Sequence, residues 1–211
     1  MNQDEMDKIY GEKSLEKIPW IYETPPAMLV DLVEKYIKKS CKTIEFGCGI
    51  GNYAIYLAKM GIDVTGVDIS KKAIEIAKKN AAKINVLCDF LVADVTGDLN
   101  CIEGKYDFAY DWELLHHIFP ENREKFVINI HSLLNQGGKY LTVSFSEEDP
   151  NFGGKGKYRK TPLGTTLYFS SIDELIELFT LRFKIIESKI VEIRGKPIPH
   201  IANYLLLECK K

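Results

Sequence analysis

The chain is expected to fold as a doubly wound α/β domain with a seven-stranded, mostly parallel sheet and an antiparallel C-terminal strand. Three observations predict this. From Thr43 onward, short apolar runs alternate with helical patterns, as they do when crossover helices join parallel strands. One apolar run ends in three alternate glycines, Gly47, Gly49 and Gly51, directly before a helix. The last two apolar runs flank a Gly- and Pro-containing turn, as an antiparallel hairpin would.

Residues 43–46 read as the first strand, 52–60 as the helix after the glycine turn and 63–67 as the second strand. Ser70 is placed to cap the next helix, on which Ala73, Ala77, Ala81 and Ile84 share one face at spacings of three and four. Residues 89–93 and 106–110 supply the third and fourth strands. Pro120 opens a helix with the apolar stripe Phe126, Val127, Ile130, Leu133 and Leu134, and Gly137 with Gly138 is expected to end it before a strand over 139–145. The alternation then breaks. Residues 146–168 are rich in Gly, Lys and Pro, and a connection this long inside a compact domain is functional or disordered, so it is read as a lid loop. Ser171 and Glu174 have capping-box spacing for a helix reaching about Thr180. Strands over 183–193 and 201–209 close the chain around the turn 195–200. Residues 1–42 read as an N-terminal cap or arm: 27–37 resembles a helix, and 10–26, with Pro19, Pro25, Pro26, Tyr10, Trp20 and Tyr22, reads as an extended cover.

A length of 211 residues, 45% of them hydrophobic, suits a single domain over 1–211. The 28 basic and 30 acidic side chains leave a net charge of −2, so no overall field draws the protein to nucleic acid or an anionic membrane. No apolar run reaches the roughly 18 to 20 residues that span a bilayer, and the reading is a soluble, cytoplasmic protein. Five widely spaced cysteines, without a CxxC pair or a His/Cys cluster, signal neither a disulfide framework nor a metal site. Nothing in the sequence specifies an oligomeric state.

The central signal is the segment Thr43-Ile44-Glu45-Phe46-Gly47-Cys48-Gly49-Ile50-Gly51-Asn52. Glycine there permits positive φ and close approach of a ligand to the backbone. Asp68, 21 residues beyond Gly47 at the end of the second strand, is placed to accept both hydroxyls of a ribose. With Gly66-Val67-Asp68-Ile69-Ser70 and Ala93-Asp94-Val95, this segment resembles the successive cofactor motifs of the class I S-adenosylmethionine-dependent methyltransferases, a likeness running from about Thr43 to Phe145. The resemblance implies a Rossmann-like sheet that binds S-adenosylmethionine and releases S-adenosylhomocysteine. It implies that the turn Gly47, Cys48, Gly49 and Gly51 approaches the methionine part and Asp68 holds the ribose. Ile69 would then lie against adenine, and Asp94 would accept from the adenine amino group with Val95 beside it. Glu45 and the backbone around Asp111 and Trp112 would complete the methionine end.

Two rival classes are weighed against this. An NAD(P)-dependent oxidoreductase needs a third fingerprint glycine where this chain has Asn52, and Glu45 is a poor neighbour for a pyrophosphate. A non-enzymatic S-adenosylmethionine-binding sensor or partner subunit would keep the same cofactor residues and lack turnover.

Ligands of open parallel sheets lie beyond the carboxyl ends of the strands. The expected acceptor pocket is therefore lined by Trp112, His116, His117, Phe152, Tyr158 and His200, with Tyr10, Trp20 and Tyr22 closing it. Methyl transfer from a sulfonium is an in-line displacement, so alignment and exclusion of water do most of the work and a general base is optional. His116 and His117 are the candidates for that base; the alternative is that one packs in the core and the other is solvated. Lys155, Lys157, Arg159 and Lys160 either bind an anionic substrate or keep a surface lid soluble, and Trp20 either covers the ligands or anchors the arm. The acceptor is read as a small molecule rather than a nucleic acid. The Asn/Asp-Pro-Pro-aromatic motif of base amino-group methylation is replaced by Asp111-Trp112-Glu113-Leu114, and no cysteine follows a proline. The Pro19-Trp20 arm is similar to the thiopurine, thiol and tellurite-type branch, which implies a soft acceptor such as a thiol.

Overall fold

The computed structural model describes residues 2–38, 40–196 and 198–211. The chain opens with helix α1, Gln3–Glu12, fixed by a capping box in which Glu5 N–H donates to the Asn2 side chain and Asn2 N–H to the Glu5 carboxylate. Met6, Ile9 and Tyr10, spaced three and four apart, form its buried face. A turn of 3-10 helix, Leu15–Lys17, leads to α2, Ala27–Tyr36. Helix α2 stands where 27–37 was expected to be helical, whereas α1 and the 3-10 turn add helix at 10–12 and 15–17 inside the segment read as an extended cover.

Then comes the alternating run β1 (Lys42–Phe46), α3 (Asn52–Lys59), β2 (Asp63–Asp68), α4 (Lys71–Lys83), β3 (Asp89–Val92), β4 (Tyr106–Trp112), α5 (Pro120–Leu133) and β5 (Leu134–Phe145). After a short two-stranded hairpin, β6 (Tyr158–Lys160) and β7 (Thr166–Tyr168), the chain ends with α6 (Ile172–Thr180), β8 (Phe183–Ile193) and β9 (His200–Cys209). Pro197, within the turn expected over 195–200, lies outside the described residues.

Seven strands form one sheet in the order β3-β2-β1-β4-β5-β9-β8. The first five are parallel, and β9 runs antiparallel to both β5 and β8, giving the expected Rossmann-like sheet with one reversed strand near its C-terminal edge. Helices α2, α3 and α4 bury Leu32, Ile55 and Ala77 on one face of the sheet; α5 and α6 bury Phe126, Ile130 and Phe179 on the other. The chain order reverses at β1, which has β2 on one side and β4 on the other, and ligands of such sheets bind at that switch point. The register aligns Phe46 with Val67 on one side and with Asp111 on the other, so Glu45, Asp68 and Asp111 all reach the same edge. No helix among the described residues is long and apolar enough to cross a membrane.

Two expectations are corrected here. The glycine pair does not end α5: the helix stops at Leu133, because Leu134 is buried as the first residue of β5 opposite Tyr106. The register then slips between Tyr106 and Phe108, and Gly137 and Gly138 lie within the strand. Residues 146–168 are not a structureless loop either. Arg159 is buried there, its guanidinium donating to the main-chain carbonyls of Gly156 (2.9 Å), Asn151 (3.1 Å), Glu147 (2.7 Å) and Asp149, and stacking over Phe169 at 4.1 Å. Lys157 pairs with Glu174 at 2.7 Å and with Glu147 at 3.6 Å. Two of the four cations suggested for a lid are thus spent on holding the segment together.

Arg159→Met should leave several buried carbonyls without donors and lower stability by about 2–4 kcal/mol in urea denaturation, whereas Lys155→Met at an exposed position should stay within about 0.5 kcal/mol.

Candidate functional site

The turn after β1 is built by main-chain bonds that only this strand order allows. The amides of Gly47 and Cys48 both donate to the carbonyl of Val67, at 2.7 and 3.0 Å, tying the turn to the tip of β2. The amide of Gly49 donates to Asp68 Oδ2 at 2.8 Å, while Asp68 Oδ1 accepts from Ser70 N–H at 2.8 Å. Ser70 in turn caps α4, its hydroxyl accepting from Ala73 N–H at 3.0 Å. Gly49 has φ +53°, and a Cβ there would stand 2.8 Å from the Tyr10 hydroxyl, so this position needs glycine both for its backbone and for its neighbour. Gly51 serves packing instead: it starts α3 at φ +79°, and a Cβ would meet the Phe90 ring at 2.7 Å.

One cavity opens at these strand tips. Of the residues that the resemblance gives to the cofactor, it is lined by Glu45, Gly47, Cys48, Gly49, Asp68, Ile69, Asp94, Val95 and Trp112, but not by Gly51 or Asp111. Asp111 is fully buried behind it. Its carboxylate accepts from the Tyr140 hydroxyl and from the amides of Leu114 (3.3 Å) and Leu115 (3.2 Å), which fixes the 3-10 turn Leu115–His117.

The expected acceptor residues divide. Tyr10, Trp20, Tyr22, Trp112 and His117 line the cavity. Trp20 donates its indole N–H to the Tyr10 hydroxyl at 2.9 Å and meets the His117 ring edge-on at 6.3 Å. His116, Phe152, Tyr158 and His200 do not line it. His116 is buried, stacked on Phe145 with ring centroids 4.0 Å apart, and its Nδ1 accepts from Phe145 N–H at 3.3 Å. His200 stacks on Phe145 from 4.3 Å and bonds Asp149 at 3.0 Å, and Phe152 packs on His200 at 5.5 Å. Tyr158 is exposed beside Phe119 and Tyr168. A cavity does open at the expected edge of the sheet, but Phe145 collects the rings of His116, Phe152 and His200 away from its lining. The cavity also includes Met6, Tyr53 from α3, Phe119 and Glu113, which were not among the residues expected there.

Burial sets the protonation of the lining groups. Glu45 is pushed up to about 8, chiefly by burial, and among the described residues its Oε2 has no hydrogen-bond partner. Asp68 rises to about 6, again by burial, with the Ser70 and Gly49 amides opposing. His117 falls to about 3 through burial and is neutral at pH 7, and its buried Nδ1 is likewise without a partner among the described residues. Glu45, Asp68, Asp94 and Glu113 all line the cavity, whereas no Lys or Arg among the described residues does.

These features fit S-adenosylmethionine. A bare carboxylate oxygen on Glu45 suits an ammonium group, and each Asp68 oxygen keeps a free lone pair beside its amide bond for a ribose hydroxyl. An acidic wall also suits a cationic cofactor and opposes a pyrophosphate.

Comparison with known proteins agrees. The family model described as a methyltransferase domain matches residues 44–138. The chain is similar to the ribosomal protein L11 methyltransferase of Dictyoglomus thermophilum, 34% identical over 116 residues, which cover 54% of this chain and 36% of that one. It is also similar to the S-adenosyl-L-methionine-dependent Diels-Alderase iccD of Talaromyces variabilis, 35% identical over 114 residues, covering 52% of this chain and 38% of that one. The match thus spans little more than a third of either relative. The fold is similar to that of a crystal structure of an S-adenosylmethionine-dependent methyltransferase from Anabaena variabilis, with a TM-score of 0.78 and 21% identity over 99% of this chain and 93% of that one.

Because Glu45 has a folded pKa of about 8 against an ordinary 4.5, the folded state holds its proton more tightly than the unfolded one. Its contribution is fully present below pH 4.5, is lost progressively as pH rises to about 8, and is constant above that. Glu45→Gln should therefore flatten the fall in the urea midpoint between about pH 5 and pH 9; an unchanged slope would show that Glu45 ionises freely in the folded protein.

Proposed function

We propose that the chain, whose residues 44–138 match a methyltransferase-domain model, is a class I S-adenosylmethionine-dependent methyltransferase that transfers the methyl group to a small-molecule acceptor, with residues 1–211 acting as one catalytic unit. The observation that carries the proposal is the convergence of the glycine turn, Asp68, Glu45 and the aromatic residues of the N-terminal cover on one cavity at the switch point of the sheet.

In this reading the cofactor supplies the electrophilic methyl group, and the protein supplies binding, alignment and dryness. Asp68 accepts from the ribose hydroxyls and Glu45 from the methionine ammonium; Asp94, whose Oδ1 already accepts from Thr96, takes the adenine end with Ile69 and Val95. Trp20, held by Tyr10, excludes water from the far end. His117 is the histidine that faces the acceptor, while His116 positions the turn that carries it. The buried thiol of Cys48, pushed well above its usual range by burial, stays protonated and takes no part as a nucleophile.

A small acceptor is favoured over a nucleic acid by the net charge of −2 and the acidic cavity. The thiol reading drew on the Pro19-Trp20 arm, but Trp20 is engaged with Tyr10 and His117 and carries no information about the acceptor atom. A second reading, in which the cofactor is bound without methyl transfer, draws on the relative named as a Diels-Alderase. Formation of S-adenosylhomocysteine against a panel of amines, phenols and thiols separates the two: turnover on any acceptor supports transfer, and tight binding with no turnover supports the second.

Asp68→Ala should weaken S-adenosylhomocysteine binding about a hundredfold by calorimetry, the loss of two hydrogen bonds to a charged group. His116→Ala should instead lower thermal stability while leaving that binding intact.

A further inference from the structure

Glu113 is the one lining carboxylate to which the cofactor gives no task. It follows β4 in the left-handed region at φ +66°, a conformation that a glutamate rarely adopts and that is held by its N–H donating to Val143 O at 2.8 Å. That bond turns the residue after Trp112 into the cavity rather than along the strand. Tyr22 from the cover, Tyr53 from α3, and Arg194 and His200 from the ends of β8 and β9 face it. None of the basic groups reaches ion-pair distance among the described residues, because Arg194 is held elsewhere, donating to Thr24 O at 2.6 Å and lying over the Tyr22 ring at 4.5 Å. The cavity that Glu113 lines also presents the rings of Trp20, Tyr22, Tyr53, Trp112 and Phe119, and among the described residues Glu113 has no ion-pair partner.

Aromatic faces around one carboxylate favour a cation over a neutral or anionic guest, since ring quadrupole and acid act in the same direction. Resting on the proposed methyl transfer, we infer that the acceptor is an amine, and that Glu113 both binds its ammonium form and takes the proton released when the nitrogen is methylated. The nitrogen gives up a proton to the Glu113 carboxylate, its freed lone pair forms the new N–CH3 bond, and the breaking S–CH3 bond leaves its electron pair on sulfur. A proton acceptor placed against the nucleophile answers the need that an ammonium has no lone pair to attack with. Burial lifts Glu113 to about 7, against the opposing influence of His200, Arg194 and the Trp112 side chain, which suits a group that must hold and release a proton near neutrality.

The test is calorimetry on the protein saturated with S-adenosylhomocysteine, using phenethylamine and its isosteres phenethyl alcohol, phenethyl thiol and phenylpropionate. The amine should bind about tenfold tighter than each of the others, and Glu113→Gln should abolish that preference while S-adenosylhomocysteine binds as before. Should E113Q fold poorly, Glu113→Asn, which tolerates the left-handed backbone, gives the same readout. With the best amine as substrate, kcat/KM should rise with pH through about 7 and lose that limb in the variant. Equal or tighter binding of the thiol or the carboxylate, an amine preference that survives the substitution, or no binding of any probe overturns the assignment of Glu113. Failure of S-adenosylhomocysteine itself to bind would instead overturn the methyltransferase reading beneath it.

Discussion

The hydrogen bond from the Gly49 amide to the Asp68 carboxylate is the constraint from which the site is built. It joins the turn after β1 to the tip of β2, and it holds a carboxylate in a place where water cannot fully solvate it. Burying an acid is unfavourable unless donors or cations compensate, and here two amides compensate only in part. Glu45, one strand away with a bare oxygen, carries a larger penalty and keeps its proton to about pH 8. Both groups border the cavity, where a cationic, hydroxyl-bearing ligand would complement them.

The lining of that cavity is of two kinds. At the tips of β1 to β3, main-chain amides and carboxylates set fixed hydrogen-bonding positions. The N-terminal cover and the residues after β4 add aromatic walls. The cover is docked rather than loose. Asp7 on α1 accepts from the Ser70 hydroxyl at 2.6 Å and the Lys72 amide at 2.9 Å, while Met6 and Ile9 pack on Ile50 and Ala73. Ser70 therefore serves α4, Asp68 and the cover together, which couples the position of Tyr10 to the same strand tip that holds the cofactor residues.

What could be read from sequence was what periodicity and spacing encode. The β1 strand, its glycines and Asp68 announce themselves because each needs a particular residue type at a particular offset. The final hairpin was legible from its turn. Less legible was which of two like residues faces the ligand. His116 and His117 differ by one position in a 3-10 turn, and the bonds from Asp111 that orient it come from a residue the motif itself would have placed in the site. Phe152 and His200 are drawn away by stacking on Phe145, a long-range contact without a local signature. Helix α1 carried its signal openly in Met6, Ile9 and Tyr10, but the prolines that follow dominated the reading of the arm. Glu113 could not be found by pattern at all, since its place in the cavity wall goes with a positive φ that only the folded chain displays.

Calorimetric titration with S-adenosylhomocysteine at about pH 7, repeated in two buffers of different ionisation enthalpy, tests the central claim most directly. An ammonium arriving beside Glu45 favours its ionised form, so binding should release close to one proton and the measured heat should depend on the buffer. Absence of binding, or identical heats in both buffers, would contradict the account of the strand tips as buried acids matched to a cationic cofactor.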